Sequence, residues 1–246
     1  MATAFITGAN KGIGYATAAR LGQAGVHIIV GARDPEKGDA AAATLREQGI
    51  DVAAVQIDVT DTASVRAAAG VVRAEHGHVE ILINNAGILP EAAEADRVSG
   101  PMDLDIFRET FATNLFGVVA TTEAFLPLLL DAPAGRVVNV SSTVASLTDQ
   151  SDPDSPYYGL VVPAYQASKA ALNSVTIALA KSLAETHIKV NAVCPGWVQT
   201  DLGGPQNKAA APTTPDEAAR IISQMALVGD DGPTGGFFDQ AGPVRW

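Results

Sequence analysis

The sequence predicts a single doubly wound α/β domain, with a mostly parallel, seven-stranded sheet and helices on both faces. Three observations carry that reading. Short apolar, often β-branched runs recur along the 246 residues, they lack polar alternation, and alanine-rich stretches with helical spacing separate most of them. Runs without alternation suit strands covered on both faces, and strands alternating with helices point to a parallel sheet.

The elements follow in order. Strands are expected at 3–7 (TAFIT), 26–30 (VHIIV), 52–58 (VAAVQID), 79–84 (VEILIN), 136–140 (RVVNV), 188–193 (IKVNAV) and 235–240 (GGFFDQ). Helices are expected at 13–24, 35–48, 61–76, 103–130 and 163–186. No linker-like tract divides the chain, so residues 1–246 read as one domain. The two longest irregular stretches, 143–162 and 196–214, each follow a predicted strand, and open α/β sheets bind ligands at the carboxyl ends of their strands.

Composition narrows the classes of function. Apolar residues make up 47% of the chain and charged residues 17%, which fits a packed globule rather than a disordered chain. The net charge of −11, with no basic run, argues against nucleic acid or an anionic membrane surface as a partner. A single cysteine, Cys194, lies between apolar neighbours and reads as a buried thiol. No basic-then-apolar leader and no apolar run of spanning length stand out, so a cytoplasmic protein is expected. His27, His76, His78 and His187 sit at element edges without metal-ligand spacing, and no metal is expected.

Chemistry concentrates at strand ends. After the first strand comes TGANKGIG, where Gly8, Gly12 and Gly14 provide a tight turn, close backbone approach and close helix–strand packing. Asn10, Lys11 and Ile13 share that loop, and the helix N-terminus beyond it suits a pyrophosphate. The spacing G-x3-G-x-G departs from G-x-G-x-x-G. At the end of the second strand no acid is placed to hold a ribose 2′-hydroxyl. Ala32 and Arg33 stand there instead, with Lys37 and Lys11 near, a cation set suited to a 2′-phosphate. Asp34 and Pro35 read as the cap and first residue of the next helix. Asp58, followed by Val59, either caps a turn or touches an adenine edge.

With these and further motifs the sequence resembles the short-chain dehydrogenase/reductase family over nearly its whole length, and within it the NADPH-using carbonyl reductase-like members. The glycine motif falls at Gly8, Gly12 and Gly14, and NNAG at Asn84, Asn85, Ala86 and Gly87. The helix asparagine falls at Asn114, the strand-end serine within VVNVSS, Tyr-x-x-x-Lys at Tyr165 and Lys169, and the PG pair at Pro195 and Gly196, with Val198 and Thr200 behind it. The resemblance implies a Rossmann fold, NADPH/NADP⁺ as cofactor and hydride transfer to a ketone or aldehyde. It also implies roles. Tyr165 is the general acid/base, Ser142 binds the substrate oxygen, Lys169 holds the nicotinamide ribose, and Asn114 holds a water in a proton relay.

Tyr165 and Lys169 lie one turn apart on one helix face. A phenol titrates near pH 10, and the ammonium is expected to lower it by about three units, worth roughly 4 kcal/mol. Ser141 and Ser142 are adjacent and point to opposite sides; the family match favours Ser142. Ile88, Leu89, Val144, Val161 and Trp197 are expected to form an apolar pocket wall. Between Ser142 and Tyr165 the gap exceeds the family's usual dozen residues by an acidic, proline-rich insertion. It reads either as surface loop or as a cover for the substrate mouth that leaves the protein a monomer or dimer, with Tyr157 and Tyr158 over the ligand. Two alternatives remain: an NAD-dependent alcohol dehydrogenase of the same family, and a regulatory protein that senses NADPH without turnover.

Overall fold

In the computed structural model, which describes residues 1–246, each expected apolar run falls on a strand. In chain order these are β1 (Thr3–Thr7), β2 (His27–Ala32), β3 (Val52–Gln56), β4 (Ile81–Asn84), β5 (Gly135–Val140), β6 (Ile188–Val193) and β7 (Phe237–Asp239). An eighth strand, β8 (Gly242–Pro243), was not foreseen. It is two residues long, pairs antiparallel with β7, and carries no apolar run to announce it. The sheet order is β3-β2-β1-β4-β5-β6-β7-β8, parallel up to that last pair.

The helices that cover the sheet are α1 (Gly12–Gln23), α2 (Pro35–Glu47), α3 (Thr62–His76), α4 (Pro90–Ala93), α5 (Leu104–Phe111), α6 (Gly117–Asp131), α7 (Leu147–Ser151), α8 (Pro163–Ser182), α9 (Gly204–Ala210) and α10 (Pro215–Ala226). The sequence reading left α10 unassigned, although Thr214 and Glu217 form a capping box at its start. Asp34 caps α2 by accepting from the Lys37 amide, with Pro35 next, as expected.

The lack of alternation in the strands has a direct cause. Along β1, Ala4 and Ile6 face a core shared with α1, α2 and α10, while Phe5 faces a second core built with α3, α6 and α8. Ile28 and Val30 follow the first set and Ile29 the second. Both faces are apolar because both are covered.

Residues 104–131 form one continuous rod in which Ala112–Phe116 is π-helical. Contrary to the expectation from sequence, this rod is long and apolar enough to cross a membrane by length and composition, with mean hydropathy 1.4 over an 18-residue window. Half of that window is buried in the protein, where Phe125, Leu128 and Leu129 pack in the second core.

At the amino ends of the strands, opposite the end that carries the glycine loop, the His27 and His76 rings lie tilted against each other at 4.9 Å between centroids. His27 Nδ1 pairs with Asp51 at 2.9 Å, and the buried Nε2 atoms of both rings lack partners. Burial and the neighbouring His27 push the His76 imidazole below its ordinary range, against the pull of Glu75 and Asp51. The folded state therefore resists a proton that the unfolded chain accepts. The stabilisation is present above the unfolded value of about 6.5 and lost as pH falls through the lower folded value. Urea denaturation at pH 7.5 and 5.5 should show a drop in stability that His76→Gln makes smaller; equal drops in the two proteins would exclude this pair as its source.

Candidate active site

The chain leaves β1 through Thr7 and Gly8 and enters α1 at Gly12, with Gly8 and Gly12 at φ of +65° and +57°. Beside it, Asn85 donates through Nδ2 to the Thr7 and Gly8 carbonyls at 2.8 and 3.2 Å. The Asn85 and Ala86 amides both donate to Thr7 Oγ1 at 3.0 Å. A Cβ on Gly14 would lie 2.5 Å from Asn85 Nδ2 and 2.6 Å from the Gly8 carbonyl, so only glycine fits. Asn85, expected among the cofactor contacts, thus spends its side-chain amide on holding the loop. The start of α1 has no side-chain cap, which leaves its first amides free for an anion. This cradle fits the pyrophosphate of a dinucleotide.

The expected cation cluster is only partly assembled. Lys11 Nζ pairs with Asp201 at 2.8 Å, and Lys208 binds the other oxygen of Asp201 at 2.9 Å. Both lysines, bonding from either side, hold the Asp201 carboxyl down to about 2. Lys37 pairs with Asp34 at 3.0 Å. Arg33 is exposed and has no ion pair. Asp58 caps a turn, accepting from the Thr60 amide and hydroxyl at 2.9 and 2.7 Å. Burial pushes its carboxyl up, but these bonds and the Arg33 charge outweigh that and hold it below the usual range. Val59 packs over Gly117, where a Cβ would lie 2.9 Å from its Cγ2. Ile13 packs against the first core.

The catalytic candidates meet at the carboxyl ends of β4, β5 and β6. Lys169 is 4% exposed, donates to the Val140 carbonyl at 2.7 Å, and lies 5.7 Å from the centre of the Tyr165 ring. Ser141 turns inward and donates to Asn173 Oδ1 at 2.6 Å, whereas the Ser142 hydroxyl faces Tyr165. Asn114, fully buried in the π-helical segment, accepts from the Ile88 amide at 2.8 Å and donates to its carbonyl at 2.9 Å and to Ser168 Oγ at 3.2 Å. Gly87 joins the two groups. A Cβ there would sit 3.4 Å from Asn114 Oδ1 and 3.6 Å from Lys169 Nζ.

The electrostatics differ from the expectation in sign. Burial pushes the Tyr165 phenol well above its ordinary value, Cys194 adds to that, and Ser142 opposes it. Burial also pushes Lys169 down to about 8, with Cys194 opposing. Removal from water penalises phenolate and ammonium alike, and the ammonium is turned to a carbonyl rather than to the phenol oxygen. Within this chain alone the phenol is held in its protonated form.

The loop after β6 carries buried Pro195, then Gly196 at φ +89°, and returns through a Val198–Thr213 bridge. Thr200 approaches the glycine loop: its Cγ2 lies 3.3 Å from where a Gly12 Cβ would stand. A polar cleft of about 370 Å³ opens from Cys194, Pro195 and Gly196 and is walled by Tyr157, Glu217 and Arg220. None of the five residues expected to form an apolar wall lines this cleft. Ile88, Leu89 and Val144 are half-buried, while Val161 and Trp197 are 70% and 52% exposed. Of the insertion, Tyr157 lines the cleft and Tyr158 faces solvent. Its first turn is tied elsewhere: Asp149 pairs with Arg245 at 3.1 Å, and Thr148 Oγ1 donates to the Trp246 carbonyl at 2.9 Å.

Comparison with known proteins places this arrangement. Residues 2–211 match the family described as short chain dehydrogenase. A short-chain dehydrogenase of Penicillium roqueforti is 36% identical over 232 residues, covering 91% of this chain and 88% of its own. Carbonyl reductase [NADPH] 1 of Homo sapiens is 31% identical over 282 residues, covering 99% of this chain and 98% of its own. The crystal structure of NADPH-bound carbonyl reductase from chicken fatty liver superposes with a TM-score of 0.82 at 28% identity, covering 99% of this chain and 98% of that one. The chain belongs to the short-chain dehydrogenase family.

Proposed function

We propose that this protein is an NADPH-dependent carbonyl reductase that converts a fairly apolar ketone or aldehyde to its alcohol. The observation that carries the reading is the cluster of buried Tyr165 and Lys169 with half-buried Ser142 at the mouth of a dinucleotide groove, with an unpaired Arg33 where an acid would select the unphosphorylated cofactor. Bound NADPH supplies the hydride. Ser142 donates a hydrogen bond to the carbonyl oxygen and polarises it, and Tyr165 gives that oxygen its proton. Lys169 holds the ribose from a site that also fixes the end of β5 through Val140. Asn114, bonded to Ile88, keeps the NNAG loop against the catalytic helix. Val144, Trp197 and Tyr157 border the substrate, and the protein works in the cytoplasm as a monomer or dimer.

Two observations weigh against the alternatives. An NADPH sensor without turnover has no need of a buried tyrosine–lysine pair, whose burial costs stability. An NAD-dependent alcohol dehydrogenase needs a hydroxyl acceptor at the end of β2, where Arg33 stands instead.

Tyr165→Phe should lower kcat for a carbonyl panel by about 10²–10⁴-fold while NADPH affinity, read by fluorescence titration, stays within about twofold. Retention of a tenth of the wild-type kcat would rule out the acid role. Arg33→Asp exchanges a charge-assisted contact for a repulsion, and the ratio of kcat/KM for NADPH over NADH should fall at least about tenfold. A wild type that uses the two cofactors equally well would refute the assignment of Arg33.

A further inference from the structure

The catalytic helix begins in an unusual way. Its N-cap, Val162, has no side chain able to accept a hydrogen bond, and Pro163, the first helical residue, has no amide hydrogen. The Gln166 amide already bonds the Val162 carbonyl at 2.9 Å. Two amides are left without partners inside the helix, those of Ala164 and Tyr165. Both go to one carboxylate more than seventy residues away: Glu91 accepts from Ala164 through Oε1 and from Tyr165 through Oε2, each at 2.9 Å.

Glu91 stands on α4, the short turn after NNAG. On its other side α4 meets the loop that follows β6. Gly204, at φ +81°, begins α9 so close to α4 that a Cβ there would lie 3.2 Å from Ala93 Cα. The turn that carries Glu91 is therefore wedged between the substrate loop and the first turn of the catalytic helix. Its bonds set where the Tyr165 backbone sits.

The carboxylate also changes the charge that Tyr165 experiences. A helix N-terminus presents positive charge, which favours a phenolate in its first turn. A carboxylate bound to the amides of that turn offsets it. The other groups facing Tyr165 are Lys169 on the same helix, Ser142 after β5 and Cys194 at the end of β6, with Tyr157 of the insertion in the adjoining cleft. Of the ionisable ones, only Lys169 favours the phenolate.

We propose that Glu91 is a positioning residue for the general acid: it fixes the backbone of Tyr165 and, through its charge, biases the phenol toward the protonated form that carbonyl reduction uses. This rests on the role given to Tyr165 above and adds to it the group that sets the backbone position and the proton affinity of the phenol.

Glu91→Gln keeps the size of the side chain, removes the charge and sets an amide group against one of the two helix amides. In that variant kcat for reduction should fall at least about threefold with NADPH affinity unchanged. The basic limb of its pH profile should move down by about half a pH unit. Glu91→Asp, which retains the charge on a shorter arm, should keep the limb in place even where kcat falls. A second readout needs no turnover. Tyrosinate absorbance, with the Tyr165→Phe titration subtracted, should rise at lower pH in Glu91→Gln than in wild type, and thermal melting shows whether each variant is folded. A folded Glu91→Gln protein whose limb and tyrosinate titration match wild type overturns the proposal. Turnover that is indifferent to Tyr165→Phe overturns the role of Tyr165 instead, and the tyrosinate titration still decides whether Glu91 biases the phenol.

Discussion

The clasp between Asn85 and the Thr7–Gly8 backbone is the contact on which the rest of the site depends. The sheet reverses its winding between β1 and β4, so the two strand ends diverge and a groove opens between them. Asn85 bridges that gap with two hydrogen bonds, and Thr7 returns two through its hydroxyl. Gly14 must lack a side chain for α1 to come this close. Once β4 is pinned, the chain has one course. Ala86 and Gly87 pass over the groove, Ile88 locks onto Asn114, and Gly87 lies against both Asn114 and Lys169. The glycine-loop cradle and the helix that carries Tyr165 and Lys169 are thus set by the same few residues.

Burial sets the electrostatic character of the catalytic pair. In water an ammonium one turn away would favour phenolate and lower the phenol's titration, yet here both groups are almost wholly covered and each is pushed toward its neutral form. The Val140 carbonyl holds the lysine nitrogen, and the Ser142 hydroxyl is the polar neighbour of the phenol. A phenol that keeps its proton is the state a reductase requires before each turnover. The positive charge of an oxidised nicotinamide, held by this site, would favour phenolate and so lower the proton affinity of Tyr165.

Much of the fold was legible because its cause is local. Strands covered on both faces read as unbroken apolar runs, and seven of the eight were found within about three residues of their ends. The missed strand β8 is two residues paired to a neighbour, a contact that no periodicity records. Helix α10 was missed although its capping box and its buried face at Ala218, Ile221, Ile222 and Met225 were there to be found. The 104–131 rod was correctly placed but its apolar excess was underread, since threonines, Asn114 and Glu123 interrupt the apolar residues along its length.

The site divides along the same line. Residue types tied to fixed offsets, such as the glycines, Asn114 and Tyr165 with Lys169, could be named from sequence because backbone geometry dictates both type and spacing. Pairings across long stretches of chain could not. Lys11 was expected to serve a phosphate and instead shares Asp201 with Lys208, a surface pair of the kind worth at most about 1 kcal/mol. Asp149, in the insertion that read either as surface loop or as a cover for the substrate mouth, meets Arg245. Glu91 drew no notice, because a glutamate in a short turn is unremarkable until the helix it caps is seen to begin Val-Pro, with no cap and no first amide of its own. Such a helix needs a partner from elsewhere in the chain. That need was written in Val162 and Pro163, and the geometry of the folded chain supplied the residue that meets it.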